Sequence, residues 1–391
     1  MTALRQQHLP PAAAPVVIAG AGAAGLSCAL TAAGHGQPVI LLEQAASAGG
    51  TVSQALIHTL GGLLDDQGNL LYDGLPTALL ARLSKACPYT QKRRIGKTWV
   101  VNVDPAIYTK VVSDWLAATT LIQVYYHSRI EQILHDEGRI HQVRFQTPAG
   151  SRSVTLSALV DTTGHAAIVR QVDESRVQAG RALSGMIVQI RGVEANTLQF
   201  PKGVALLRDL RAASAQQQLP AECATVWLDS GVYTDEVYAK FTLQGDHQPS
   251  ASWQAIGAQL LAYLQTHPGF AQAYLAAIGH TGIRDGGRIK GEYCLSETDI
   301  RSGQRFTDAA CQACWPIEHW HPEQGLQLEY LPAGHTYEIP LRSLKVAGFS
   351  NLWAAGKCLS AEPRAQASAR VVGTCWAMGE ALGTYLAGKQ L

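Results

Sequence analysis

Apolar and polar positions along this chain change period repeatedly, and each change marks an element. Pro15 to Ile18 is a short apolar run that stops at Gly20-Ala21-Gly22-Ala23-Ala24-Gly25. Leu26 to Ala33 then reads as a helix, and Val39-Ile40-Leu41-Leu42 as a second buried strand ending on Glu43. Ala46-Ser47-Ala48-Gly49-Gly50-Thr51 is small and glycine-rich, the composition of a loop lying against a ligand. The pattern predicts a helix over residues 105 to 119, then strands over Leu121 to Tyr126, Ile130 to His135, Gly138 to Gln146 and Ser153 to Val160. Asp136-Glu137-Gly138 and Pro148-Ala149-Gly150 supply turns between them. Ala158-Leu159-Val160-Asp161 is of the buried type and stops at Thr162-Thr163-Gly164.

The stretch from about 176 to 343 changes character, with frequent turn residues. It carries mixed strands (Gly185 to Arg191, Thr225 to Leu228, Val237 to Leu243) and one clear helix, Ser252 to Gln265. The chain then returns to strand-and-helix material: Asn351 to Ala355 is a short apolar strand ending at Gly356, and Ala367 to Leu386 reads as a helix. Its small residues Gly373, Ala377, Gly379, Ala381 and Gly383 let it approach a flat cofactor and the sheet; Arg370 and Glu380 argue against a lipid-embedded dimer motif. The expected fold is α/β: a discontinuous Rossmann-like domain at 14–175 and 344–391, an inserted α+β substrate domain at 176–343, and a flexible tail at 1–13.

Strand, glycine turn, helix, strand and acid follow one another at the N-terminal end, which is the dinucleotide fingerprint in its required context. Gly20 permits the tight turn, Gly22 lets backbone approach a pyrophosphate, and Gly25 lets the helix lie close on the strand. The helix start presents unpaired N–H groups and a partial positive charge to the phosphates. Glu43 would accept from both ribose hydroxyls and repel a 2′-phosphate, so the ligand is FAD or NAD rather than NADP.

Composition narrows the reading. A chain of 391 residues with 47% hydrophobic content suggests two domains with a substantial core. Lys+Arg 31 against Asp+Glu 30 leaves a net charge of +1, which attracts neither nucleic acid nor an anionic membrane. No stretch reaches the ~18 uninterrupted apolar residues of a spanning helix. Met1 to Pro11 lacks a basic segment followed by an apolar one, so a cytoplasmic location is expected. The eight cysteines are scattered and expected to be free thiols; Cys311-Gln312-Ala313-Cys314 has no second pair to complete a zinc site, and a redox disulfide facing a flavin is the sharper alternative.

The segments together resemble the FAD-dependent oxidoreductases of the glutathione-reductase-like flavoprotein superfamily, and more narrowly the FAD-dependent oxidoreductase group related in fold to flavin monooxygenases and halogenases. Beside the N-terminal fingerprint, Asp161-Thr162-Thr163-Gly164 stands in the place of a D-x-T-G strand end. Arg288-Ile289-Lys290-Gly291-Glu292-Tyr293 resembles a segment of the narrower group, and Tyr337 to Leu344 and Asn351 to Ser360, with Ala369-Arg370-Val371, complete the likeness. Residues 176 to 285 match only in general character.

The resemblance implies an FAD cofactor, with Gly20, Gly22 and Gly25 facing its pyrophosphate and Glu43 its adenosine ribose. Gln44, Gly50 and Thr51 belong to the same surface, Ile130 meets adenine through its backbone, and Thr163 and Gly164 line that arm. Gly356 and Lys357 lie beside the ribityl-phosphate, and Arg370-Val371 opens a helix aimed at the flavin N1/O2 edge, where its dipole stabilises reduced flavin. His165 replaces a common acid and Lys357 a common arginine, which alters the polar contacts around the cofactor.

Candidate chemistry concentrates in Trp315-Pro316-Ile317-Glu318-His319-Trp320-His321. His319 or His321 could act as general base, set against a structural role in a turn before Pro322. Tyr337 could orient a substrate, set against a core role; His58 could reach the flavin, set against a surface turn. No metal site is expected. There is no G-x-S-x-G elbow, no W-x-W-x-I-P signature and no second glycine fingerprint for a nicotinamide domain. Reduction would come from the substrate, from transient NAD(P)H, or from a partner flavin reductase. The expected function is oxidation of a small organic substrate by hydride transfer to flavin N5. The alternatives are a monooxygenase or halogenase-like enzyme using reduced FAD and oxygen, and a non-catalytic FAD-binding protein.

Overall fold

The computed structural model describes residues 14–180, 184–243, 249, 251–321 and 325–390; the expected tail at 1–13 lies outside them. Five parallel strands form the central sheet in the order Leu352–Ala354, Ala158–Asp161, Val16–Ala19, Val39–Leu42, Ile122–Tyr125. Alternate side chains serve two cores. Val16, Ile18, Val39 and Leu41 pack with the helices Ala23–Gly34, Pro105–Ala117 and Val372–Leu386, whereas Val17, Ala19, Ile40 and Leu42 pack under an antiparallel meander. Burial on both faces is why these strands read as unbroken apolar runs.

The meander consists of Arg129–Asp136, Arg139–Thr147 and Gly150–Thr155. The expected strand from Ser153 to Val160 is therefore two strands in two sheets, because the chain turns at Leu156-Ser157 to enter the parallel sheet. The expected helix from Ala367 to Leu386 is also two helices, Pro363–Ala369 and Val372–Leu386, separated at Arg370-Val371. Its small face packs on another helix instead of a cofactor. A Cβ at Gly379 would overlap the Ala24 carbonyl, and one at Gly383 would meet the Cys28 carbonyl at 2.6 Å.

A second sheet runs antiparallel in the order Trp227–Ser230, Val237–Leu243, Ser184–Arg191, Tyr274–Ile278. Met186, Val188, Ile190, Leu228, Ala239 and Phe241 point from it into a third core under the helices Lys202–Ala215 and Trp253–Leu264. Alternation sends Ile187, Trp227, Asp229, Tyr238 and Lys240 to the opposite face. Leu295, Ile300, Ala313, Tyr337, Ile339 and Leu341 pack instead into the core on the helical side of the parallel sheet. Among the described residues, no helix is long and apolar enough to cross a membrane.

Candidate active site

The site begins at the glycine turn. Gly20 sits at φ +105°, and a Cβ there would meet the Thr162 carbonyl oxygen at 2.6 Å. The Thr162 hydroxyl donates to the carbonyls of Ala19 (2.9 Å) and Gly20 (2.7 Å), tying the turn to the neighbouring strand end. A Cβ on Gly25 would collide with the Gly20 carbonyl, so this glycine serves helix–strand packing. Gly50 lies at φ +55° with its Cβ position 2.7 Å from Gly22 Cα, so the two glycine loops touch along bare backbone. The helix Ala23–Gly34 opens at Gly22 with no side-chain cap, leaving its first N–H groups for an anion.

Two carboxylates hold this frame. Glu43, buried at its strand end, accepts from Ala21 N–H through Oε2 (2.7 Å) and from Ala45 N–H through Oε1 (2.8 Å). Each oxygen keeps capacity for a further hydrogen bond, as a ribose requires. Asp161 accepts from Thr163 N–H and its hydroxyl on one oxygen, and from Ile168 and Val169 N–H on the other. That fully buried carboxylate shapes the Thr163-Gly164 turn and starts the following helix.

A cleft runs across these elements. Gly20, Gly22, Glu43, Gln44, Gly50, Thr51, Ile130, Thr163, Gly164, Gly356, Lys357 and Arg370 all line it. Gly25 does not, which corrects its expected place at the pyrophosphate, and Val371 lines only an adjoining cavity. The bare-backbone cradle, the uncapped helix start and the Glu43 carboxylate together fit the pyrophosphate and ribose of FAD.

The adjoining cavity shares Thr51, Ala55, Gly282, Lys357, Arg370 and Val372 with the cleft. Its other walls are mostly apolar, with Ile57, Ile95, Val100, Ile187, Trp227, Trp315, Leu326 and Leu328. The charges on the wall form two groups. Arg370 pairs with Glu318 (3.4 Å), whose other oxygen accepts from Trp315 Nε1 (3.1 Å). Lys357 Nζ donates to the Ile283 carbonyl (2.6 Å), and burial, then the nearby Arg370 charge, brings its pKa down from 10.5 to about 8. Burial and Arg370 likewise bring Arg284 down to about 9.

The second group surrounds Asp229. Its carboxylate accepts from Arg93 (2.7 Å), Lys240 (2.9 Å) and His58 Nε2 (3.2 Å). These cations and the His58 bond hold Asp229 well below the usual carboxylate range despite its burial. His58 is fully buried and stacks on Tyr238 with centroids 3.7 Å apart. Burial, then Lys240, pushes its pKa down to about 4, so the contact with Asp229 is a hydrogen bond from neutral imidazole rather than an ion pair. The acceptor-only carboxylate assigns the proton to Nε2, and the buried Nδ1 lone pair has no partner among the described residues.

Of the residues singled out for catalysis, none of those with described side chains lines either cavity. His58 reaches the cavity wall only through Asp229, which corrects both its expected place at the flavin and the surface-turn alternative. Tyr337 is fully buried in the core, its hydroxyl bonded to Ser368 Oγ (2.7 Å). His319 lies on the strand Ile317–His321 rather than in a turn. Glu318 and its partner Leu328 line the cavity, so alternation turns His319 and its partner Gln327 to the other face. The side chain of His321 lies outside the described residues.

Cys311 and Cys314 are free thiols, line neither cavity, and are pushed up by burial, Cys314 to about 12. Neither is poised as a redox thiolate. Among the described residues no group of three or more histidines, cysteines and acids could hold a metal.

Sequence reasoning missed Asp229, Lys240, Arg284 and Trp227. The available signal was a charge within an otherwise apolar strand, as in Val237-Tyr238-Ala239-Lys240-Phe241, where alternation demands that the charge face something other than the core.

Comparison with known proteins agrees with this geometry. The fold is similar to a geranylgeranyl bacteriochlorophyll reductase-like protein from Thermoplasma acidophilum, at 11% identity and TM-score 0.51, covering 96% of this chain and 78% of that one. Weaker likenesses include p-nitrophenol 4-monooxygenase PnpA from Pseudomonas putida DLL-E4, at 11% identity, coverage of 96% and 80%, and TM-score 0.47. PqsL of P. aeruginosa, solved with 2-aminobenzoylacetate, gives 13% identity, coverage of 95% and 86%, and TM-score 0.48. A search of curated proteins found no match. The family model described as FAD dependent oxidoreductase matches residues 15–200 and 192–388, so the chain belongs to the FAD-dependent oxidoreductase family, an α/β enzyme whose cofactor is FAD.

Proposed function

We propose that this enzyme oxidises a small organic substrate held in the apolar cavity that adjoins the cofactor cleft. The observation that carries the reading is the common wall: Lys357, Arg370 and Val372 face both spaces, so a molecule in one meets the cofactor in the other. FAD, when bound, supplies a two-electron acceptor that takes hydride from a substrate C–H at N5. The apolar walls exclude water from that transfer, and the uncapped start of the helix Val372–Leu386 favours negative charge on the reduced ring.

Oxidation of an alcohol or amine also releases a proton as the C=O or C=N bond forms. Lys357 is the group at the common wall whose pKa, about 8, allows it to take that proton as the neutral amine. Glu318 and Asp229 serve this role less well because cations already engage them. The electrons leave afterwards to oxygen or to a redox partner.

Anaerobic mixing of the holoenzyme with candidate alcohols, amines and acids tests the reading. Bleaching of the flavin by substrate alone is the expected result. Bleaching that requires NAD(P)H, followed by oxygen-dependent hydroxylation, would replace it with the monooxygenase reading. A flavin that no donor reduces would leave only a structural role for the cofactor.

A further inference from the structure

Lys357 is held at both of its ends. It stands in the turn Gly356–Cys358 that follows the strand Leu352–Ala354, and its stem lies on bare backbone, where a Cβ on Gly164 would sit 2.8 Å from Lys357 Cε. Its Nζ crosses to the Ile283 carbonyl (2.6 Å). Ile283 belongs to the short strand Gly282–Ile283, which pairs with Ser184 and Gly185 of the antiparallel sheet. One hydrogen bond of the lysine side chain therefore joins the cofactor half of the molecule to the sheet that walls the cavity.

Gln366 supplies a second tie between the same two segments. It sits on the helix Pro363–Ala369, is buried, and lines neither the cleft nor the cavity. Its Nε2 donates to the Lys357 carbonyl (2.9 Å) and to the Arg284 carbonyl (3.2 Å). A side-chain amide has two N–H groups, so both are spent on the main chain that the lysine side chain also bridges. The bonds close a loop: Lys357 Nζ to Ile283, across one peptide to Arg284, through the Gln366 amide and back to Lys357. Closing it sets where the lysine backbone starts relative to the carbonyl that its Nζ reaches. Fixing a lysine side chain costs much of its rotamer freedom, and a preset distance between its two ends lowers that cost.

We infer, on the reading that Lys357 takes the substrate's proton, that Gln366 is the residue that positions its amine in the common wall. Gln366 lines neither space and acts only through Lys357. With the two segments held at this spacing, the neutral amine gives one N–H to Ile283 and keeps its lone pair. That lone pair forms the new N–H bond as the substrate's O–H or N–H bond breaks. Without the amide, two carbonyls lose a donor, the segments separate, and the side chain follows water away from the wall. The lysine then returns toward its ordinary basicity, because burial is the main cause that lowers it.

The test needs no substrate. Apoprotein stability is measured by chemical denaturation across about pH 8 to 10.5 for wild type, Gln366→Met, Lys357→Met and the double variant. Arg370, Arg284, Cys375 and Cys358 are the charged and titratable groups that face the amine. Burial keeps both thiols protonated through this window, Cys375 with its pKa raised to about 12. Subtracting the Lys357→Met background removes whatever else titrates, the arginines included. In that difference the folding constant of the wild type should rise on the order of 100-fold with pH, because the unfolded chain keeps the lysine proton up to 10.5. Gln366→Met should shrink the rise to about tenfold or less, and Gln366→Asn, whose amide is one methylene short, should fall between.

A glutamine that serves the fold alone would lower stability by the same factor at every pH. A rise that survives intact in Gln366→Met therefore overturns the proposal, as does a wild type without any rise assignable to Lys357. If Gln366→Met does not fold, Gln366→Asn decides on the same criterion. Anaerobic flavin reduction keeps the two readings apart. A rise that depends on Gln366, beside a Lys357→Met holoenzyme reduced as fast as wild type, would sink the proton-acceptor reading and leave the positioning bond standing. A rise indifferent to Gln366, beside a slow Lys357→Met holoenzyme, would sink this inference alone.

Discussion

His58 Nε2 lies 3.2 Å from Asp229 Oδ2, joining the segment after the second glycine loop to the strand Trp227–Ser230. The bond ties a wall of the apolar cavity to the segment after the second glycine loop, and burial keeps its imidazole neutral. Burial and Lys240 bring the folded-state pKa from 6.5 to about 4, so between those values the unfolded chain binds the proton that the folded one refuses. The stability is fully present above pH 6.5 and is lost as pH falls through about 4, on the order of 3 kcal/mol at the bottom of the window. Chemical denaturation of wild type and His58→Gln from pH 4 to 8 measures it. The stability difference between them should shrink as pH falls, and a difference that stays constant would refute the neutral hydrogen bond.

Gly379 and Gly383 let the C-terminal helix lie against the backbone of the helix Ala23–Gly34, whose uncapped start lines the cleft that fits FAD. Gly379→Ala should cost about 1–3 kcal/mol through forced separation of the two helices. Because the displaced helix is the cofactor's anchor, FAD retention should fall with stability. Thermal melts of apo and holo protein check both effects, and a Gly379→Ala variant as stable as wild type would show that the contact is soft.

The cofactor half of the site was legible because its signals are local. Gly20, Gly22 and Glu43 act through backbone geometry that a few consecutive residues determine, and all three line the cleft. The adjoining cavity was not, because Asp229, Lys240, Arg284 and Glu318 come to line one space only after two sheets and a hairpin have packed together. Histidine identity drew attention to His58 and His319, yet burial neutralises one and strand alternation turns the other away. The break at Arg370-Val371 was equally hidden. Neither residue is a helix breaker, and the interruption is imposed by tertiary packing that turns both residues toward the cavity.

Glu43 carries two backbone N–H groups, from Ala21 and Ala45, besides its expected ribose contact. Glu43→Gln replaces one acceptor oxygen by a donor that faces an N–H. Loss of a charged hydrogen bond of this kind weakens binding by about 10- to 100-fold. Reconstitution of the apoprotein with FAD, followed by fluorescence quenching, gives the number directly. An unchanged affinity would show that Glu43 serves the turn alone.

Lys357 supplies a test in which stability and rate move independently. In the apoprotein its folded pKa of about 8 lies below the ordinary 10.5, so the unfolded chain holds the proton more tightly. Wild-type stability should therefore rise as pH increases from about 8 to 10.5, and Lys357→Met should lack that rise. The measurement uses apoprotein because the cofactor's phosphates would favour the ammonium and move the window upward. In the holoenzyme, anaerobic flavin reduction by an alcohol or amine should speed up with pH as the neutral amine forms. Lys357→Met should lose that limb and slow the reaction by about 10²- to 10⁴-fold, the range of a removed general base. Lys357→Arg keeps the charge but cannot deprotonate, so it should be equally slow while still binding FAD. A fast Lys357→Arg enzyme would mean that the cation, rather than proton transfer, is what the reaction needs at this position.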